Sequence, residues 1–201
     1  MSYEVSETVH EVSRLHQGFR PSTMGKALRL VGEAVRADRV YVFENGAQAG
    51  TGRLVMNQRF EWSASSAAPQ LDNPELQNLP YAESVPSWVG PLRAGEHVTG
   101  LVRVMPRTEQ ALLASQEIQS ILVCPVTLGG RWWGFVGFDD CRDQRDWSPP
   151  EIILLKGLSK ALAGGLQHAS TRRSLDGARE SLRDVIRQCE RLSAGPKIAL
   201  R

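Results

Sequence analysis

The sequence contains little cysteine, and its three cysteines form no recognisable pattern. Cys124, Cys141 and Cys189 are odd in number, and their spacing matches no metal-binding motif. A disulfide framework needs paired cysteines and an oxidising compartment. We therefore expect a reduced, cytoplasmic location and no metal site built on cysteine.

The chain also lacks a long apolar run and a strong net charge. No uninterrupted apolar stretch approaches the roughly 20 residues that span a bilayer, and the acidic N-terminus is unlike a secretion signal. The formal net charge is only +2, which gives no reason to expect a nucleic acid or a membrane as a partner. The 201 residues, 41% of them hydrophobic, suit one soluble domain with extensions.

The clearest local pattern is a β-hairpin followed by a capped helix. Residues 121–127 and 132–138 are apolar runs typical of strands, and residues 128–131 between them contain two adjacent glycines. Glycine adopts the positive φ of a tight turn without steric cost, so we predict a hairpin. Ser148 is expected to cap the next helix, with Glu151 at its third position.

The rest of the chain predicts an antiparallel sheet with helices on one or both faces. In order, the pattern predicts a helix at 22–35, a strand at 39–43, a turn at 44–46, a strand at 54–62, a short helix at 88–94, a strand at 97–104 and a helix at 108–115. Residues 63–87 show no period, and their four prolines exclude a long helix. Trp132 and Trp133 are adjacent on one strand and should face opposite sides of the sheet.

Two segments carry a resemblance to a known family: A-V-R-A-D-R-V-Y-V-F-E-N, at the first helix and strand, and P-V-T-L-G-G-R-W-W-G-F-V-G-F-D-D-C, in the hairpin. Together with the capped helix they closely resemble GAF domains of bacterial signalling proteins. The resemblance implies an α+β fold over residues 21–169, with an antiparallel sheet and flanking helices. It also implies that residues 63–87 form short helices and loops over a ligand cavity, and that the role is sensory or regulatory.

Helices are predicted on both sides of this domain. Residues 1–20 carry an amphipathic helical stripe, and residues 170–194 carry a heptad-like one, before a tail at 195–201. The stripe has apolar or small side chains at intervals of three and four residues, as in a coiled-coil seam: Leu175, Ala178, Leu182, Val185, Cys189 and Leu192. We expect a parallel homodimer that signals to a kinase or cyclase output domain, or to a separate partner.

The ligand site is predicted from the resemblance, which places Trp62 and Trp88 beside the cavity. The candidate ligand contacts are Phe43, Trp62, Trp88, Leu101, Arg103 and Cys124. An anionic ligand would be favoured if Arg93, Arg103 and Arg107 pointed into the same opening. The residues identify neither the small molecule nor a cofactor.

Several other functions have weaker support. Free methionine-(R)-sulfoxide reductases are GAF proteins with reactive thiols, so Cys124 or Cys141 could make this chain an enzyme, but the neighbouring aspartates should raise the pKa of the Cys141 thiol. Bilin attachment commonly uses a Cys-His pair, which is absent, and the motif for cyclic nucleotides is incomplete. A purely structural dimerisation module is the remaining alternative.

Two possible metal-binding features have simpler explanations. A lone histidine such as His97 is usually a surface or hydrogen-bonded residue rather than a haem ligand. The acidic residues Asp139, Asp140, Asp143, Asp146 and Glu151 lack the alternation of an EF-hand. We interpret them as a solvated loop followed by a helix cap.

Overall fold

The computed structural model describes residues 21–193, with side-chain environments for residues 23–187. The helix predicted at residues 1–20 and the tail predicted at 195–201 lie outside the described residues. So do the side chains of Cys189 and Leu192.

A six-stranded antiparallel sheet organises the described chain. Its strands are β1 (Arg39–Ala47), β2 (Leu54–Ser63), β3 (Leu79–Pro80), β4 (Val98–Leu101), β5 (Ser120–Leu128) and β6 (Arg131–Asp140), in the spatial order β3-β2-β1-β6-β5-β4. The helices are α1 (Pro21–Val35), α2 (Tyr81–Ser84), α3 (Val89–Arg93), α4 (Arg107–Ala114) and α5 (Pro149–Ser193). Short 3-10 turns lie at Pro74–Leu76, Pro86–Trp88 and Val102–Val104. The antiparallel α+β architecture predicted from the sequence is confirmed.

The central hairpin forms as its sequence predicts. β5 and β6 pair antiparallel, and Gly129 and Gly130 in the turn have φ values of 55° and 77°. Residues with a Cβ rarely adopt this left-handed region, so the two glycines make the tight connection possible.

The first strand is longer than predicted. The turn expected at residues 44–46 belongs instead to β1, where Glu44 pairs with Asn57 and Gly46 with Val55 of β2. The reversal comes later, where Gly50 and Gly52 have positive φ. The strand predicted at 97–104 is shorter than expected, because its last residues form a 3-10 turn.

The two faces of the sheet are covered differently. One face, here called the helix face, packs against α1 and α5 through Val40, Val42, Leu122, Val136 and Phe138. The other, here called the loop face, carries Tyr41, Phe43, Ile121, Val123 and Phe135 under the short helices and loops between β2 and β5. Trp132 packs on the loop face and Trp133 on the helix face, as the alternation predicts.

Helix α5 is one continuous helix of 45 residues. The Ser148 backbone N–H and its hydroxyl both donate to one carboxylate oxygen of Glu151, each at 2.7 Å. This is the half of a capping box in which the glutamate accepts from the residue before the helix. The first turns are held to the sheet by the fully buried Leu155, Leu158 and Leu162. Gly164 and Gly165 do not interrupt the helix.

Beyond residue 170, α5 leaves the domain. Leu175 is 56% exposed and Leu182 is 60% exposed, although both are apolar. No helix in the described part of the chain is both long enough and apolar enough to cross a bilayer.

Candidate functional site

A small cavity lies on the loop face, between the sheet and its irregular cover. Tyr41, Phe43 and Phe135 form its floor, Trp88 lies in the cover, and Arg39 lies at the polar end. The cavity volume is about 30 Å³. This is the volume open to the centre of a water-sized sphere, of which one water needs about 10–15 Å³. The space therefore holds about two waters.

The aromatic floor follows from the pairing of β1 with β6. Phe43 lies opposite Phe135 across these strands, and their rings stack with centroids 4.9 Å apart. Trp88 meets Phe135 edge-on at 6.0 Å. A Cβ at Gly137 would lie 2.5 Å from the Tyr41 ring, so this glycine makes room for the tyrosine.

Arg39 is the largest polar group of the cavity, and it is only 2% exposed. Its Nε lies 3.5 Å from a carboxylate oxygen of Asp139, its register partner on β6. Its terminal nitrogens donate to the carbonyls of Gln116, at 2.6 Å, and of Ala68, at 3.4 Å. They also donate to the sulfur of Cys141, at 3.0 Å. One side chain thus joins the sheet to two segments of the cover.

The acid at this end of the cavity has an unusual pKa. Burial raises the pKa of Asp139 to about 7, despite the opposing attraction of Arg39 and the hydrogen bond donated by the Tyr41 hydroxyl at 2.8 Å. Burial and the Asp139 charge raise the pKa of Tyr41 well above its usual value. The tyrosine therefore stays a neutral donor.

Several buried polar atoms, on residues that line the cavity, have no hydrogen-bond partner within the described residues. They are the Gln58 side-chain oxygen, one Glu61 carboxylate oxygen, the Trp88 indole nitrogen and Arg39 Nε. Gln58 is 4% exposed and Trp88 3% exposed. Leaving a buried polar atom unpaired is costly, so such atoms favour the binding of a water or of a polar ligand group.

The structure places the predicted ligand contacts in different regions. Phe43 and Trp88 line the cavity. Leu101 lies in the edge strand β4, away from the lining, and Arg103 is exposed and donates to Gln144 at 2.7 Å. Ligand contact by Phe43 and Trp88 stays a prediction.

The expected positions of Trp62 and Cys124 beside the cavity are wrong, because both lie on the helix face. Strand β2 contains an extra residue: Val42 pairs with Phe60 and Phe43 with Gln58, which leaves Arg59 unpaired in the ladder. This bulge reverses the alternation of side chains along β2. Gln58 therefore faces the cavity, while Trp62 packs over Gly32 of α1.

Sequence reasoning missed Arg39, Gln58, Glu61 and Asp139 as cavity residues, and it looked for cations elsewhere. Arg93, Arg103 and Arg107 are not among the lining residues. The available signal was an arginine at the start of one predicted strand and an aspartate at the end of another. Only the pairing of β1 with β6 brings these two charges together.

The two described thiols are poor nucleophiles. Burial raises the pKa of Cys124 to about 12, and this residue has no exposed surface. Burial also raises the pKa of Cys141 to about 11, while Arg39 acts in the opposite direction. The direction expected for Cys141 is confirmed, but burial rather than aspartate charge is the main cause.

The acidic segment is not a simple solvated loop. Asp139 and Asp140 end β6 and are buried, and Asp140 lies 3.1 Å from Arg145. No three acidic, cysteine or histidine side chains among the described residues are grouped as metal ligands.

Arg145 connects this segment to helix α5. It pairs with Asp140 at 3.1 Å and with Glu151 in the first turn of α5 at 3.5 Å. Its guanidinium lies 3.9 Å from the ring centre of Trp147 and donates to the carbonyl of Val35 at 3.0 Å. We call Asp140, Arg145 and Glu151 the α5 junction.

Comparison with known proteins gives a consistent result. The model of the GAF domain family matches residues 21–166. The chain is 41% identical over 167 residues to the methanogenesis regulatory histidine kinase FilI of Methanothrix harundinacea, covering 83% of this chain and 19% of the relative. This chain spans about a fifth of the length of the curated relatives it matches.

Similar solved structures agree on the fold alone. The phycoerythrobilin-bound GAF domain from a cyanobacterial phytochrome superposes with a TM-score of 0.67 at 13% identity, over 84% of this chain and 97% of that one. The third GAF domain of Slr1393 from Synechocystis sp. PCC6803, in its photoproduct state, gives a TM-score of 0.63 at 21% identity, over 78% and 99%.

Proposed function

This chain belongs to the GAF domain family, and we propose that it is a cytoplasmic regulatory module rather than an enzyme. In this proposal a small molecule binds in the loop-face cavity, and its binding changes how α5 pairs with the same helix of a second copy. A ligand can shift such an equilibrium only through different affinity for the two arrangements. The cavity wall must therefore be connected to the helix.

The observation that carries the proposal is the connection between Asp139 and Asp140. These neighbours lie at the end of β6 and point to opposite sides of the sheet. Asp139 lines the cavity beside Arg39, and Asp140 belongs to the α5 junction. A shift of the Asp139 backbone on ligand binding would move Asp140 and, through Arg145, the start of α5.

Helix α5 suits an output element because its two parts differ. Its first turns are buried against the sheet, whereas Leu175, Leu182 and Val185 are each more than half exposed. These side chains recur at heptad-like spacing, and two such stripes would bury each other in a parallel coiled coil. The similarity to a regulatory histidine kinase supports a kinase output, in a longer chain or in a separate partner.

The test compares two lysine substitutions in adjacent positions of α5. Leu182→Lys puts a charge in the proposed seam, whereas Ser181→Lys adds the same side chain beside it. We expect Leu182→Lys, and truncation after Ser170, to weaken dimerisation by at least about tenfold in sedimentation equilibrium, because a seam cannot bury unpaired ammonium groups cheaply. Ser181→Lys should change the dimer constant little. Equal dimer constants for the two lysine variants would contradict the seam.

A purely structural dimerisation module is the second candidate, and the small cavity favours it. A volume of about 30 Å³ excludes a ligand the size of a bilin unless the cover moves. Native mass spectrometry of the purified protein separates the two functions, since a sensor should retain or accept a ligand and a filled-core module should not. The high pKa of the Cys124 and Cys141 thiols favours neither bilin attachment nor thiol catalysis.

A further inference from the structure

We propose that the loop-face cavity takes a small, flat, uncharged group that presents both a hydrogen-bond donor and an acceptor, of which a primary amide is the simplest. This inference rests on the proposed function, in which the cavity is the ligand site. It follows from the unpartnered atoms of the lining, the charge balance around Arg39 and the shape of the walls.

The unpartnered atoms are of both kinds. The Gln58 side-chain oxygen and one Glu61 carboxylate oxygen are acceptors, and the Trp88 indole N–H and the Arg39 Nε–H are donors. Gln58 and Trp88 are each more than nine-tenths buried, so bulk water does not satisfy them. A ligand with an N–H and a carbonyl oxygen would pair with both kinds, whereas a purely donating or purely accepting group would leave one kind unpaired.

An anionic group finds no free cation in this lining. Arg39 is the only arginine or lysine among the described lining residues. Its charge is already paired with Asp139, and its terminal nitrogens already donate to Gln116, Ala68 and Cys141. Adding a second anion beside Asp139 would place like charges together in a buried site.

A cationic group is also disfavoured, although Glu61 is close. The other Glu61 carboxylate oxygen accepts from the backbone N–H groups of Gln70 and Leu71, each at 2.7 Å. A cation would lie in the same small space as the Arg39 guanidinium and would leave the Trp88 N–H unpaired. The neutral group avoids both costs.

The walls limit shape and size. Phe43 and Phe135 stack at an interplanar angle of 13°, and Trp88 stands edge-on to Phe135, so the space is bounded by flat surfaces. The volume of about 30 Å³ holds about two waters, so even a small amide needs some movement of the cover. A larger ligand would have to insert its amide-like end here.

The test uses three probes of one shape: acetamide, acetate and acetamidinium. Each is titrated at pH 8 into the full chain labelled with ¹⁵N, and the indole N–H signal of Trp88 is followed by NMR. Trp88→Phe identifies that signal. We expect acetamide to bind at least about tenfold more tightly than either charged probe, since each of those leaves one kind of lining atom unpaired.

Two variants test the pairing itself. Trp88→Phe keeps an aromatic ring but removes the donor, and Gln58→Leu removes the acceptor. Each should weaken acetamide binding by about fivefold, the effect of one hydrogen bond, detected by chemical-shift titration of the Gly137 backbone amide. Gln58→Leu should not lower the melting temperature, because it removes an unpartnered buried amide.

The outcomes are distinct. Tighter binding of acetate or acetamidinium than of acetamide would overturn the ligand class but leave the proposed function intact. Unchanged acetamide affinity in both variants would overturn the pairing. No response to any probe would overturn this inference and favour the filled-core module, while the lysine variants of α5 decide dimerisation separately.

Discussion

The helix face and the loop face of this sheet use the same strands for different purposes. On β1, Val40 and Val42 point to the helix face, whereas Tyr41 and Phe43 point to the loop face. The helix face is an apolar surface, of aliphatic and aromatic side chains, packed against two regular helices. The loop face combines aromatic rings, a buried ion pair and free space.

The difference follows from what covers each face. A regular helix satisfies its own backbone groups and needs only an apolar surface beneath it. An irregular cover leaves peptide groups that need side-chain partners. Arg39 donates to the Ala68 and Gln116 carbonyls, and Glu109 accepts from the Ser87 backbone N–H. The loop face therefore needs buried polar residues, and the same residues give its cavity chemical character.

Of the substitutions that test this difference between the faces, Arg39→Met should have the largest effect on stability. Methionine fills similar space but makes no ion pair or hydrogen bond, so two carbonyls lose their donor and the Asp139 carboxylate loses the charge that stabilises its ionised form. We expect a loss of about 3–5 kcal/mol in the free energy of unfolding at pH 8, measured by urea denaturation.

The matched control for Arg39→Met adds Asp139→Asn. This second change replaces the carboxyl group that has lost its partner by a neutral amide, so the double variant should recover part of the lost stability. A loss below about 1 kcal/mol for Arg39→Met alone would show that the pair behaves like a surface ion pair, and the contrast between the faces would fail.

On the helix face, we expect Leu158→Ala to cost about 3 kcal/mol. Leu158 is 1% exposed in the core between α5 and the sheet, so alanine leaves a cavity that rigid helices cannot fill. Ile153 on the same helix is 70% exposed, and Ile153→Ala should change stability by less than about 0.5 kcal/mol. Urea denaturation of both variants checks this, and equal losses would contradict the burial of only one side of α5.

Local signals predicted much of the fold. The paired glycines of the hairpin and the apolar spacing of α5 each act over a few residues, and each has the expected structural result. Of the predicted helix cap, the hydrogen bonds from Ser148 to Glu151 form. The two-faced burial of Trp132 and Trp133 needed only the alternation of a strand.

The site was harder to predict because it depends on register. The bulge at Arg59 is not visible in the sequence, yet it decides that Gln58 faces the cavity and Trp62 does not. Cys124 lies on a strand buried on both faces, where every residue from 121 to 126 is apolar and the pattern gives no face assignment. The Arg39–Asp139 pair joins residues 100 positions apart, at the ends of strands whose pairing local sequence does not encode.

The smallest expected effect is a change in the free energy of unfolding with pH. We expect this change to come from Asp139 on the loop face and not from the helix face. The pKa of Asp139 is about 7 in the folded chain, against about 3.9 for an exposed aspartate. Between these values the folded state binds more protons than the unfolded state, so stability should fall as pH rises. The contribution should approach 1.4 kcal/mol per pH unit, about the maximum for one group, near pH 5–6.

His97 changes the stability with pH in the opposite direction to Asp139, so the measurement uses variants that lack this histidine. Burial and Lys156 lower its pKa, so its contribution to stability grows as pH rises through the histidine range. We therefore compare His97→Gln with the double variant that also carries Asp139→Asn, by urea denaturation from pH 5 to pH 8. The free energy of unfolding of His97→Gln should fall as pH rises and level off near pH 8. The double variant should not show this fall. Parallel pH profiles would show that Asp139 stays ionised throughout, and that Arg39 compensates its burial fully.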